Sequence, residues 1–106
     1  MAKVFRGPAA QHDLIAHYIY LAENANEATA ERFLTNAEAS FNDLAKQPKM
    51  GAPLTLRHPE LEGLRKWQVH DFDNFLVFYL PRPDGVSIVR VLYAAQDWWG
   101  LLGIEA

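Results

Sequence analysis

Three apolar runs of strand length, separated by turn chemistry, restrict this chain more than any other feature of it. They occupy residues 64–72, 75–80 and 86–93. Asp73 and Asn74 separate the first two, and both tolerate the left-handed backbone that a two-residue hairpin loop needs. Residues 81–85 (PRPDG) separate the second and third, with Asp84-Gly85 a strong turn signal. Two hairpins in succession predict a three-stranded antiparallel meander. Every side chain of the middle run (FLVFYL) is apolar or aromatic, which predicts cover on both faces. Alternation in the third run puts Ile88, Arg90 and Leu92 on one face and Val89, Val91 and Tyr93 on the other. Arg90 is the only cation of that run. It is expected to pair with a carboxylate or to lie along the sheet with its tip in water.

The meander needs something to bury against. Residues 2–6 (AKVFR) predict a short first strand, ended by Gly7-Pro8. From residue 9 to 24 the period is helical, with Leu14, Ile15, Tyr18, Ile19 and Ala22 as the apolar stripe. Gln11, Asp13, Ala16, His17 and Tyr20 are read as lying elsewhere on that helix. A second helix is predicted over 27–46, started by Asn24 or Asn26 and stopped by Pro48. Its stripe is Ala30, Phe33, Leu34, Ala37, Phe41, Leu44 and Ala45. The link between the helices is so short that they should form an antiparallel hairpin lying on the sheet. Phe33, Phe41, Leu44, Val77, Tyr79, Val89 and Val91 are the expected core. In the loop 49–62, Met50, Leu54, Leu56 and Leu61 should tuck under. Asp97 is a candidate cap for a short terminal helix. The fold class is α+β: first strand, helical hairpin, then meander.

Composition closes off several functions. At 106 residues the chain is read as a single domain, 1–106. It has no cysteine, so no disulfide, thiolate zinc site or cysteine nucleophile is available. No metal site and no cofactor is expected. No apolar run approaches the ~20 residues of a membrane span. The N-terminus lacks a signal-peptide apolar region, and a cytoplasmic location is expected. Residues 9–47 hold six acidic side chains against two basic, and the remainder eight basic against seven acidic. The helical half is therefore acidic and the sheet half near neutral, unlike a protein that holds nucleic acid by charge. Phosphate loops, HExxH and GxSxG motifs are missing. His12, His17, His58 and His70 read as surface histidines, and Asp71 and Asp73 as turn formers. Two clusters stand out as candidate surfaces: Arg57, His58, Arg65 and Lys66, and Tyr93, Gln96, Asp97, Trp98 and Trp99.

A set of short segments adds a family resemblance. They are Asp13-Leu14-Ile15 with Tyr18-Ile19, residues 30–33 with 41–44, residues 47–51 (QPKMG) and residues 59–65 (PELEGLR). The Tyr79 strand, Asp84-Gly85-Val86 and residues 88–92 (IVRVL) complete it. In this order, over nearly the whole chain, they resemble the toxins of the ParE branch of the RelE/ParE superfamily. The resemblance implies a bacterial type II toxin–antitoxin pair with a small ParD-like antitoxin. ParE-type members act on DNA gyrase without catalysis; RelE-type members cut messenger RNA on the ribosome. Gln96 stands where an arginine is usual, and glutamine cannot stabilise developing negative charge as a guanidinium does. The expected reading is thus a gyrase inhibitor, with Arg65, Arg90, Tyr93 and Gln96 as target contacts forming one surface region. The alternatives are a nuclease using Arg65, Arg90 and Tyr93, or a non-toxic member that only binds antitoxin. Leu54, Leu56, Trp67, Trp98, Trp99, Leu101 and Leu102 look like surplus apolar surface. Of these, Trp67, Trp98, Trp99 and Leu101 are the expected antitoxin contacts.

Overall fold

The computed structural model describes residues 2–54, 59–96 and 98–102, and of Trp99 the backbone alone. Its elements are β1 (Lys3–Arg6), α1 (Pro8–Asn24), α2 (Glu27–Lys46), β2 (Ala52–Pro53), a 3-10 turn (Pro59–Leu61), β3 (Arg65–Val69), β4 (Phe72–Arg82), β5 (Gly85–Tyr93) and α3 (Trp98–Leu101). The strands form one sheet in the order β1-β5-β4-β3-β2. β1 runs parallel to β5, and every other pairing is antiparallel. The α+β architecture is the one the runs and periods predict. The expectations for Leu56, Arg57, His58, Asp97 and the Trp99 side chain fall outside the described residues.

Local chemistry explains where the elements start and stop. Pro8 occupies the first turn of α1, where its missing N–H costs nothing. Asn26 rather than Asn24 caps α2: its Oδ1 accepts from the Thr29 amide at 2.7 Å. Asn24 instead donates to the Tyr20 carbonyl. β1 lies so close to the start of β5 that a Cβ on Gly85 would fall 1.8 Å from the Lys3 carbonyl oxygen. With φ at 156°, Gly85 is the residue that permits the contact.

The first hairpin turns earlier than the sequence suggests. Its loop is His70-Asp71, not Asp73-Asn74, and Asp71 takes φ of 63°. Ser40 of α2 fixes it by accepting the His70 amide at 3.0 Å. The earlier turn lets Phe72 reach the core, where its ring meets Phe33 edge-on at 5.4 Å. Asp73 and Asn74 lie within β4, and the Asn74 carbonyl accepts from the Ala94 amide.

The helical hairpin covers one face of the sheet. Phe33, Ala37, Phe41 and Leu44 of α2 meet Val69, Phe75, Val77, Tyr79, Val86, Ile88 and Val91 from the strands. The other face holds a smaller cluster of Leu64, Phe78 and Leu92, with Leu54, Leu61, Leu76, Leu80, Val89, Trp98 and Leu102 around it. Leu76 and Leu80 remain half-buried, so the middle run is covered fully on one face and partly on the other.

Two face assignments change. In β5, Phe78 pairs with Arg90 and Tyr79 with Ile88, so Val89 is an extra residue. This bulge reverses the alternation. Ile88 joins Val91 on the helical face, and Leu92 lies on the opposite one. Val89, expected in the core, is half-buried on the outer face. In α1, Ala10 and Leu14 are buried, whereas Ile15 is 52% and Ile19 49% exposed. The docked face is the one that carries Asp13 and His17, both placed elsewhere by the apolar period. The reason lies in the edge of β5.

Candidate functional site

β1 is shorter than β5, so beyond Ile88 the edge of β5 has lost its partner strand. The chain leaves β1 at Gly7, whose amide donates to the Ile88 carbonyl at 3.0 Å, and α1 then crosses the vacated edge. Val91 needs partners for both its backbone groups there. Asp13 and His17, four residues apart and so on one helical face, supply them. Asp13 Oδ2 accepts from the Val91 amide at 3.0 Å. His17 Nε2 sits 2.7 Å from the Val91 carbonyl oxygen. A carbonyl oxygen only accepts, so Nε2 carries the hydrogen. The His17 ring also packs edge-on against Phe75 at 4.9 Å and Phe33 at 6.0 Å.

The same aspartate binds Arg90. Nε donates to Oδ2 at 2.7 Å and Nη2 to Oδ1 at 2.8 Å, a two-pronged pair. Nη1 donates to the Leu101 carbonyl at 2.5 Å, which reaches round the sheet edge and fastens α3. The hydrogen bonds to Asp13 push the Arg90 guanidinium above its ordinary value, against the opposing effect of burial. Arg90 therefore takes the first of its two expected fates, pairing with a carboxylate. Sequence reasoning gave Asp13 no role beyond its place in a family segment and read His17 as a surface histidine, whereas His17 is half-buried against Phe75 and Phe33. Their signal was the four-residue spacing on a helix together with one cation in an apolar strand.

Tyr93 and Gln96 extend this surface. The Tyr93 amide donates to Gln96 Oε1 at 2.6 Å, and the Tyr93 ring meets Phe75 at 5.3 Å. Arg90, Tyr93 and Gln96 thus share the outer half of β5 and the turn after it. Arg65 does not join them. It sits on β3, two strands away, opposite Tyr79. Its Nη1 donates to the carbonyls of Lys49 and Gly51, at 3.2 and 2.6 Å. Tyr79 holds the same loop: its hydroxyl donates to the Pro48 carbonyl at 2.7 Å and accepts the Gly51 amide at 2.8 Å. The expected single region of Arg65, Arg90 and Tyr93 therefore divides in two, because β4 lies between β3 and β5.

Tyr79 makes a pH-dependent contribution. Burial raises its phenol above the ordinary 10.0, with the Gly51 amide and the Arg65 charge pulling the other way. A group that holds its proton more tightly when folded stabilises the fold fully below its unfolded value. That contribution is lost as pH climbs above it. Urea midpoints of the native protein should fall as pH passes 10. Tyr79→Phe should start about 1 kcal/mol lower, for the lost hydrogen bond, and show a flatter alkaline limb.

The expected antitoxin contacts also separate. Trp67 packs half-buried on the helical face. Trp98 packs on the outer face, 5.5 Å from Phe78, with Lys66 Nζ 4.5 Å over its ring and its Nε1 donating to the Ala94 carbonyl. Leu101 is 38% exposed. Alternation in β3 and the covering of the outer face by α3 put Trp67 and Trp98 on opposite sides of the sheet. Among the described residues, no group of three or more histidine, aspartate or glutamate side chains could hold a metal ion. No described helix is long and apolar enough to cross a membrane.

The comparisons agree with this geometry. No curated protein sequence matches. A solved structure from the chromosomal ParDE TA system of P. aeruginosa superposes with a TM-score of 0.70. It is 17% identical, and the match covers 88% of this chain and 96% of that one. The sequence model of the ParE toxin of the type II toxin–antitoxin system parDE matches residues 4–98, from β1 to the start of α3. The chain belongs to the ParE toxin family.

Proposed function

We propose that this protein binds and inhibits DNA gyrase without catalysing a reaction, and that a small ParD-like antitoxin neutralises it in the cytoplasm. The observation that carries the first part is the engagement of Arg90. All three guanidinium nitrogens donate to Asp13 or to the Leu101 carbonyl. A guanidinium held that way is not presented to a scissile phosphate, whose stabilisation needs donors aimed at the developing charge. Gln96 adds no positive charge there, and its oxygen is taken by the Tyr93 amide. The surface of Arg90, Tyr93 and Gln96 serves here as a shaped contact for the target. Arg65 acts through the loop it holds.

The antitoxin reading rests on the helical hairpin. Ile15 and Ile19 leave an apolar strip exposed on α1. Beside it a cleft of about 270 Å³ is lined by Arg6, Gln11, Leu14, Ile15, Tyr18, Leu34 and Glu38. The hairpin carries the acidic excess of the chain. An amphipathic antitoxin segment with an apolar face and basic flanks complements it, and charge of this kind speeds association at low salt. Leu101, on the outer face, is a second contact for a segment that wraps the domain.

The test uses purified protein with purified gyrase and relaxed plasmid. Loss of supercoiling at near-stoichiometric toxin, restored by adding a small ParD-like antitoxin, is the expected result. Cut messages on ribosomes with gyrase untouched would replace it with the nuclease. No effect on either machine, with the antitoxin still bound, would leave an antitoxin-binding protein without a target.

A further inference from the structure

The geometry points to an aromatic socket beside Tyr93 that takes one neutral ring from a tyrosine or tryptophan side chain of a protein partner. This deepens the proposed function, since it rests on reading the Tyr93–Gln96 surface as the one that meets the target. The cavity has a volume of about 310 Å³ and is lined by Ala16, His17, Tyr20, Phe75, Tyr93 and Gln96. Two unrelated elements, the end of α1 and the end of β5, bring their exposed aromatics to it: Tyr20 is 57% and Tyr93 39% exposed. Phe75, 5% exposed, is the buried member of the set.

Ring geometry, size and charge select the occupant. Phe75 already meets Tyr93 at 61° and His17 at 68°, both edge-to-face. A further ring entering between Tyr20 and Tyr93 would continue that packing, in which the positive edge of one ring meets the negative face of the next. The volume is at the lower end of ligand pockets, ample for one ring system. No lining side chain carries a permanent charge. The nearby cation, Arg90, is held by Asp13. A phosphate-bearing ligand would therefore find no counter-charge. Gln96 gives its oxygen to the Tyr93 amide, which leaves its NH2 as a donor for a phenol oxygen.

The experiment is a titration of the full-length, ¹⁵N-labelled chain with N-acetyl-L-tryptophanamide and N-acetyl-L-tyrosinamide, followed by amide shifts. Adenosine monophosphate is the nucleic-acid control. Saturable shifts confined to the six lining residues and their neighbours are expected. Ala16→Phe, at an exposed helical position, should fill the socket with its own ring and weaken binding at least tenfold while the rest of the spectrum is kept. Tyr93→Ala should do the same by removing a wall. Shifts that do not saturate, that fall elsewhere, or that adenosine monophosphate matches would overturn the socket. Gyrase inhibition, measured separately, judges the target. Ring binding with Ala16→Phe still inhibiting gyrase at full strength would remove the socket from the target contact. Ring binding with no gyrase inhibition by the native protein would leave the socket standing and the gyrase reading fallen.

Discussion

Phe41→Ala is expected to destabilise the fold by about 3–5 kcal/mol, the range for emptying a fully enclosed aromatic site. Phe41 is 1% exposed and lies in the main core between α2 and the sheet. Its ring also carries the Arg6 guanidinium, 5.4 Å from the centroid, and Arg6 reaches on to Glu38 at 3.1 Å. Truncation therefore opens a cavity and removes the surface on which the Arg6–Glu38 pair rests. For a domain of this length the melting temperature should drop by at least about 12 °C. Urea denaturation checks the prediction, with the midpoint moving and the slope unchanged. A midpoint near that of the native protein would place the ring outside the core.

Asp13→Ala is expected to cost about 3 kcal/mol, the lower end for removing one partner of a buried ion pair. The side chains of Arg90 and Asp13 are 19% and 12% exposed, so Arg90 loses its counter-charge where water replaces it poorly. The Val91 amide loses its acceptor in the same change. Asp13→Asn should be milder, since one side-chain oxygen remains to accept. A double-mutant cycle between Asp13→Ala and Arg90→Ala separates the terms. A coupling energy near zero would show that the pair is an ornament of the sheet edge. If the pair instead holds the Tyr93–Gln96 surface in place, Asp13→Asn will also weaken gyrase inhibition in protein that remains folded.

Strand and helix periods made most of this fold readable. The span of α2 was legible because Pro48 is a local stop and both Asn24 and Asn26 offer a local start; which of the two caps the helix was decided only by the structure, in favour of Asn26. The first turn was misplaced by three residues because Asp71, Asp73 and Asn74 all tolerate a left-handed backbone. The choice among them is made by Ser40, thirty residues away in sequence. The face of α1 was misjudged for a related reason. An apolar period assumes that a helix docks only to bury hydrocarbon. Here it also has to satisfy Val91, so Asp13 and His17 turn inward and Ile15 and Ile19 turn out. The bulge at Val89 leaves no mark in composition, and it alone moved Ile88 and Leu92 to opposite faces. Of the candidate site, Arg90, Tyr93 and Gln96 were legible as neighbours on one strand and its turn. The separation of Arg65 from them is a matter of strand order, and that of Trp67 from Trp98 of which face α3 covers; no local pattern encodes either.

The parallel pairing of β1 with β5 also governs when the fold can close. Lys3 finds its partner in Gly85. Chains are made at roughly 5–20 residues per second, so the first strand waits between about 4 and 16 seconds for the last. Contacts so distant in sequence form late and slow folding, because the loop between them must be closed first. The attachment of α1 to the edge of β5 shares that delay, since Val91 and Arg90 are made later still. A nascent chain therefore carries both helices before it carries the strands on which Phe33, Phe41 and Leu44 are buried. The segments that build the hairpin leave the ribosome before those that build the surface at Tyr93.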